Sequence, residues 1–225
     1  MPGAPRSLIP AQTRRRSNAT FQQRCAGPSH PATYPDPMPT PPHAHRSPDV
    51  ETAELFGGTE KRDIVIAPPD PAWPRIYQDH ERRIRAALGT EALSVEHIGS
   101  TSVPGLPAKP IIDILVVVDD LTAEEDYRPQ LEAAGYPLRV REPGHRMVRT
   151  PQRDVHVHIL EQGDEQIEEY LLFRDRLRAD ETDRGLYART KRQLAARDWP
   201  DMNAYADAKT EVISQIKEHA RHDRP

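Results

Sequence analysis

The feature that most constrains this chain is an almost uninterrupted apolar run over residues 111–118, which contains a single charge. The run is rich in β-branched residues, and this composition predicts a buried strand. Its one charged residue, Asp113, is costly to bury unless the carboxylate is paired, hydrogen-bonded or bound to a cation. The chain is therefore expected to build a sheet around this strand and to supply Asp113 with a partner.

A glycine and hydroxyl turn precedes that strand. Gly99, Ser100 and Thr101 follow a short alternating segment over residues 93–98. Backbone N–H groups and hydroxyls in such a turn can hold an anion, so these residues are predicted to bind phosphate or carboxylate. A tight turn without a ligand is the structural alternative. Lys109 is predicted to add a point charge on a phosphate, with a surface lysine or a salt bridge to Glu96 or Asp113 as alternatives.

Two histidines two residues apart form the next candidate site. His156 and His158 lie in a predicted strand over residues 155–160, which forms a hairpin with residues 146–150. Alternate residues of a strand share a face, so both imidazoles can meet Asp113 if the two strands are neighbours. Asp113, His156 and His158 are predicted to hold one divalent metal, with Mg or Mn preferred to Zn. The alternative is a polar network that stabilises the sheet.

The remaining pattern predicts an α+β (α/β mixed-sheet) domain with a C-terminal layer of helices. A helix is expected over residues 73–88, and another is expected to begin near Pro129 and end at Gly135. Helices are also expected over 164–179, over 183–196 and after Pro200, with further strands over 63–67 and 136–141. In the C-terminal layer, Arg174 and Lys209 are predicted to neutralise phosphoryl oxygens, with a solvated face as the alternative.

Composition separates a tail from the domain. Of the 24 prolines, 11 lie in residues 1–50, so residues 1–60 are predicted to be a disordered tail and residues 61–221 the folded domain. The single cysteine, Cys25, excludes a disulfide framework. Without a 20-residue apolar run or a secretory signal, the chain is expected to be cytoplasmic, with no membrane contact. Its mild net negative charge gives no reason to expect nucleic acid as a partner.

A long motif connects these features to a known family. The sequence HIGSTSVPGLPAKPIIDI, over residues 97–114, resembles the signature of the GrpB family, which also occurs fused to dephospho-CoA kinases. Flanking matches at residues 71–73, 156–158, 173–178 and 205–209 extend the resemblance over roughly residues 63–220. The family is similar in fold to nucleotidyltransferases of the polymerase-β type, so that fold is expected here.

The resemblance also implies roles for individual residues. Gly99 and Ser100 match the nucleotide-binding turn of nucleotidyltransferases, and Asp113 matches the first metal-binding acid. Leu115 stands where the second acid is expected, and the third strand offers His156 and His158. A two-metal displacement needs cations on both the attacking and the leaving oxygen, so the acidic metal site is incomplete and catalysis stays open.

Two functions follow from these observations. The first is binding of a nucleotide or other phosphate-bearing molecule by a nucleotidyltransferase-like domain, with Asp113 and His158 as the catalytic pair if a transfer reaction occurs. The second is a non-catalytic folding or interaction domain that associates with an enzyme of CoA biosynthesis. The sequence leaves the substrate, the metal and the oligomeric state open.

Overall fold

A computed structural model describes residues 48–223 of the chain. Six strands lie in this part: β1 (Glu54–Leu55), β2 (Ser94–Ile98), β3 (Ile112–Val118), β4 (Leu138–Glu142), β5 (His145–Arg149) and β6 (Val155–Glu161). They form one mixed sheet in the order β1-β4-β5-β6-β3-β2. The six α-helices of the same part are α1 (Trp73–Leu88), α2 (Arg128–Ala133), α3 (Glu165–Ala179), α4 (Glu181–Ala195), α5 (Met202–Asp207) and α6 (Thr210–His222).

The apolar run is the central strand, as predicted. Strand β3 pairs with β2 in antiparallel and with β6 in parallel orientation. One face of the sheet packs against α1 through residues such as Ile114, Val116 and Ile84. On the other face Leu115 packs near Tyr170 of α3. The predicted mixed α+β sheet with C-terminal helices is confirmed.

The C-terminal helices fix the loop that follows the glycine turn. Val103 and Leu106 of that loop are buried in one cluster with residues from three helices, namely Leu177, Tyr187, Ala188, Val212 and Ile216. Asp201 caps α5, as its position after Pro200 predicts, by accepting hydrogen bonds from the next turn. The helix expected after Pro200 is two helices, because the chain turns at Ala208 and Lys209. That break places Lys209 between α5 and α6.

The prediction of a strand over residues 63–67 is wrong. Only Ala67 pairs, in an isolated bridge to Ala108. Pro68 and Pro69 follow directly and lack the N–H groups that would extend a ladder. The Val65 side chain in this stretch is exposed.

Residues 48–60, which composition assigns to the tail, pack against the sheet. Strand β1 pairs with β4, Asp49 binds Arg146, and Glu60 binds Arg149. Acidic side chains of this segment thus meet arginines of β4 and β5, a complementarity that local composition does not reveal. The prediction of a disordered tail for residues 1–47 lies outside the described residues. Within residues 48–223, every helix is too short or too polar to span a bilayer.

Candidate functional site

Gly99 allows the turn after β2 to approach the carboxylate of β3. Its backbone has φ +67°, in the region that favours glycine. A Cβ atom at this position would lie 2.3 Å from Asp113 Oδ2, well inside van der Waals contact. Any larger residue at position 99 would therefore separate the Ser100 turn from Asp113.

Asp113 lies beside the two histidines of β6, as the strand pattern predicts. Its Oδ1 atom is 3.6 Å from His156 Nδ1 and 3.8 Å from His158 Nε2. Burial opposes ionisation of Asp113, but the neighbouring His158, His156 and Lys109 hold its pKa below the usual range. Burial lowers the pKa of His156 to about 4 despite the attraction of Asp113. At neutral pH an ionised Asp113 therefore adjoins a neutral His156.

His158 is oriented by a hydrogen-bonded chain from the next strand. Glu142 Oε1 lies 2.6 Å from His145 Nδ1, and His145 Nε2 lies 3.0 Å from His158 Nδ1. Burial and the adjacent His158 lower the pKa of His145 to about 4, so this ring is neutral at pH 7. A neutral imidazole has one donor and one acceptor nitrogen. His145 therefore donates to the Glu142 carboxylate and accepts from His158 Nδ1, which leaves His158 Nε2 facing Asp113.

Lys191 of α4 reaches the glycine turn from the opposite side. Its ammonium donates to Ser100 Oγ at 2.9 Å and to the Pro107 carbonyl at 2.6 Å, and the residue is only 3% exposed. The ammonium also lies 4.6 Å from the ring centroid of Tyr187. Burial, together with repulsion from Lys209 and Arg192, lowers the pKa of Lys191 to about 7.

Two more lysines face the same space. The ammonium groups of Lys109 and Lys209 lie 5.2 Å and 5.0 Å from the ring centroid of Tyr205. Burial and the charge of Lys109 lower the pKa of Lys209 to about 8. Burial also lowers the pKa of Lys109, although Asp113 opposes that shift. Within residues 48–223, Asp113 is close enough to raise the pKa values of the three lysines, but no carboxylate forms an ion pair with any of them.

These groups line one cavity of about 900 Å³, which we call the lysine cavity. It contains the predicted residues of the turn, the central strand and the C-terminal helices, namely Gly99, Ser100, Lys109, Asp113, His156, His158 and Lys209. It also contains Tyr205 from the predicted 205–209 motif and residues that sequence reasoning did not indicate, namely Glu142, His145, Tyr170, Tyr187 and Lys191. A volume of this size suits a small-molecule ligand or cofactor.

Two predicted binding residues lie elsewhere. The Thr101 hydroxyl donates to the Ile111 carbonyl at 3.0 Å and contacts His97 Nε2 at 3.1 Å, in the buried base of the turn. Arg174 binds Glu96 at 2.9 Å and Asp175 at 2.7 Å, and it does not line the lysine cavity. The structure thus brings most of the predicted residues together but engages these two in contacts outside the cavity.

The acidic two-metal centre of nucleotidyltransferases does not fit these residues. Leu115 occupies the expected second acid position, and its side chain is fully buried among apolar neighbours. In residues 48–223, no three His, Cys, Asp or Glu side chains are arranged to hold a metal ion. Asp113, His156 and His158 are therefore close together but not arranged as a ligand cluster, and the single-metal site stays a prediction.

A repeated pattern could have revealed Lys191. Residues 187–191 read Tyr-Ala-Arg-Thr-Lys, and residues 205–209 read Tyr-Ala-Asp-Ala-Lys. In both, the lysine ammonium lies over the ring of the tyrosine four residues earlier. Sequence reasoning singled out the second pair and overlooked the first.

Comparisons with known proteins agree with the sequence motif. The model of the GrpB protein family matches residues 63–219, and the chain therefore belongs to the GrpB family. A UPF0157 protein of Streptomyces coelicolor is 59% identical over 175 residues, which cover 78% of this chain and 94% of that protein. The crystal structure of the conserved protein GrpB from Enterococcus faecalis has 32% identity and a TM-score of 0.62, and the match covers 69% of this chain and 96% of that one.

One further relative carries an enzyme name. A dephospho-CoA kinase of Mycolicibacterium paratuberculosis is 34% identical over 175 residues. The match covers 65% of this chain but only 43% of the kinase. The similarity therefore concerns less than half of that protein.

Proposed function

We propose that this GrpB protein binds a nucleotide or another phosphate-bearing molecule in the lysine cavity. The observation that carries the proposal is the set of Lys109, Lys191 and Lys209, whose ammonium groups face one space without an ion pair to any described carboxylate. Lys191 is buried, and the other two lysines are half-buried. Buried cations are normally paired, because an isolated buried charge is costly. A bound polyanion would supply the missing charge.

The turn favours phosphate as that anion. Ser100 presents its hydroxyl to Lys191 and so connects the turn to the lysines. Compact ammonium groups bind phosphate as point charges, and backbone N–H groups of a glycine turn add donors. The rings of Tyr187 and Tyr205 contact the ammonium groups of all three lysines.

The same cavity supports phosphoryl or nucleotidyl transfer. His158 Nε2 can take the proton of an attacking hydroxyl, and the adjacent Asp113 carboxylate would stabilise the resulting imidazolium. The hydroxyl oxygen would then bond to phosphorus while the bond to the leaving phosphate breaks. The lysines would neutralise the charge that develops on the phosphoryl oxygens. This role of Asp113 and His158 requires no metal.

A non-catalytic interaction domain is the second candidate function. The partial match to a protein named dephospho-CoA kinase supports an association with CoA biosynthesis. Under this alternative, the histidines and Asp113 form a structural polar network. Co-purification of the full chain with dephospho-CoA kinase, combined with no response to ligands, would favour it.

Thermal-shift titration of the full-length protein tests the first proposal. The ligands are ADP, ATP, dephospho-CoA and inorganic phosphate, each with and without Mg²⁺ or Mn²⁺. A ligand at about 100 times its Kd should stabilise the protein by about 2.7 kcal/mol, a shift of several degrees. We expect Lys191→Met and Lys209→Met to abolish that shift.

Lys61→Met is the matched control, because Lys61 is exposed and pairs with Asp198 outside the lysine cavity. It should respond to ligands like the parent. If none of the ligands shifts the melting temperature, or if the lysine variants respond like the parent, phosphate binding in this cavity is refuted. A response that requires Mg²⁺ or Mn²⁺ and disappears in Asp113→Ala would support the predicted single-metal site.

A further inference from the structure

A second cavity of about 420 Å³ adjoins the lysine cavity, and we call it the arginine cavity. Eight residues line both cavities, and they include Lys109, His156, Leu55 and Met147. The arginine cavity extends from that shared wall to the turn between β5 and β6 and to residues 59–65. Arg62 and Arg153 line only the arginine cavity, so a molecule bound to them would lie beside the proposed phosphate site.

One part of the arginine cavity wall is apolar and open. Val65 is 62% exposed and Leu55 is 36% exposed, which makes them two of the few exposed large hydrophobic residues in the described part of the chain. Pro110 and Met147 extend the same wall. Exposed apolar surface inside a concave site is typical of ligand contact.

The other part of the wall carries more cations than nearby carboxylates can pair. Arg139 and Arg149 are engaged, because Arg139 donates to the carbonyls of Phe56 and Gly58, and Arg149 binds Glu60. Arg153 has a 43% exposed side chain and lies 3.5 Å from the same Glu60 carboxylate.

Arg62 also lines the arginine cavity and makes no ion pair with another described residue. Of the other acids in the wall, Asp154 accepts a hydrogen bond from the Thr150 hydroxyl at 2.6 Å, and Asp63 is exposed. Together with Lys109 of the shared wall, Arg62 and Arg153 are therefore the cations available to a ligand.

We infer that the arginine cavity binds a second small molecule, an organic anion with an apolar body. Arg62 and Arg153 would bind its carboxylate or phosphate, for which the planar guanidinium offers paired donors. Val65 and Leu55 would contact the apolar body. This site goes beyond the proposed function and does not require the first cavity to bind phosphate.

Isothermal titration of the full-length protein with four probes tests this site. Benzoate and phenyl phosphate carry both an apolar ring and an anion, whereas benzyl alcohol lacks the anion and inorganic phosphate lacks the ring. We expect binding of at least one ring-bearing anion and none of benzyl alcohol. The preference between benzoate and phenyl phosphate identifies the anion.

The double variant Arg62→Gln/Arg153→Gln should weaken that binding by about tenfold or more, since two charge-assisted contacts are lost. Arg75→Gln is the matched control, because Arg75 is an exposed arginine on α1 that does not line the cavity. Lys191→Met should leave benzoate binding unchanged, which separates this site from the lysine cavity. If neither ring-bearing anion binds, or if the double variant binds as tightly as the parent, the inference is overturned.

Discussion

The partners of cationic side chains differ between two regions of this molecule. On β4 and β5, Arg146 binds Asp49 at 2.5 Å and Glu124 at 2.7 Å, and Arg141 binds Glu124 at 2.6 Å. In the lysine cavity, Lys191 is just as buried but contacts only a hydroxyl, a carbonyl and an aromatic ring. The arginines have carboxylate partners, and the lysines do not.

We interpret the paired arginines as structural and the unpaired lysines as groups held for a ligand. The carboxylates that surround Arg146 raise its pKa despite burial, so its charge is stable in the folded protein. The pKa of Lys191 is instead lowered to about 7 by burial and by neighbouring cations, so its charge is only partly retained at neutral pH. Strongly perturbed groups in a cleft are typical of functional sites. We therefore expect the two regions to respond in opposite ways to substitution.

The largest loss of stability is expected on substitution of Arg146. Arg146→Met leaves Asp49 without its guanidinium partner and removes one of three arginines from Glu124. Breaking such a buried pair should lower the free energy of unfolding by about 3 kcal/mol. Urea denaturation measures this, with Arg75→Met as the exposed control that should change it by less than about 0.5 kcal/mol. An Arg146→Met protein as stable as the control would show that the paired arginines are not structural.

The next effect concerns the pH dependence of stability. Because the pKa of Lys191 falls from its ordinary value of 10.5 to about 7 on folding, the folded protein holds this proton less tightly than the unfolded chain. The free-energy cost of burying the charged Lys191 is fully present below pH 7, and it declines as the pH rises toward 10.5. The free energy of unfolding of the parent should therefore rise by roughly 2 kcal/mol between pH 7 and pH 9, relative to that of Lys191→Met.

Urea denaturation of both proteins across this pH range provides the measurement. Lys61→Met serves as the control, and its stability should follow that of the parent throughout. Parallel curves for the parent and Lys191→Met would contradict a lowered pKa of Lys191.

A smaller effect is expected at Thr101. Its hydroxyl is hydrogen-bonded to the Ile111 carbonyl, so Thr101→Val should cost about 1 kcal/mol of stability and leave ligand affinity unchanged. Urea denaturation and the thermal-shift titration with ADP measure the two quantities. A tenfold loss of affinity at unchanged stability would instead support the sequence-based role of Thr101 in phosphate binding.

Most of the elements with a strong local signal were predictable, although the strand expected over residues 63–67 did not form. The β-branched run became β3, and Pro129 marked the start of a helix that begins at Arg128, because both follow from backbone preferences of adjacent residues. The packing of residues 48–60 was not predictable. Asp49 finds its partner 97 positions away, and composition carries no trace of such a pairing.

The candidate site likewise contains some residues that local pattern predicts and others that only tertiary packing reveals. Strand alternation placed His156 and His158 beside Asp113, as the sequence predicted. His145 and Lys191 were missed because their roles depend on which strand borders β6 and how α4 packs on the turn loop. These are tertiary contacts, and the spacing of residues along the chain does not predict them.

The most direct test of the account is the pKa of Lys191, measured by NMR in the full-length protein labelled at lysine Cε. The Lys191→Met spectrum identifies the resonance. We expect a pKa of about 7 for Lys191 without anions and a clear rise when the phosphate-bearing ligand found by thermal shift is bound. A pKa near the ordinary lysine value, unchanged by every phosphate-bearing ligand tried, would contradict the claim that this buried ammonium group is held for an anion.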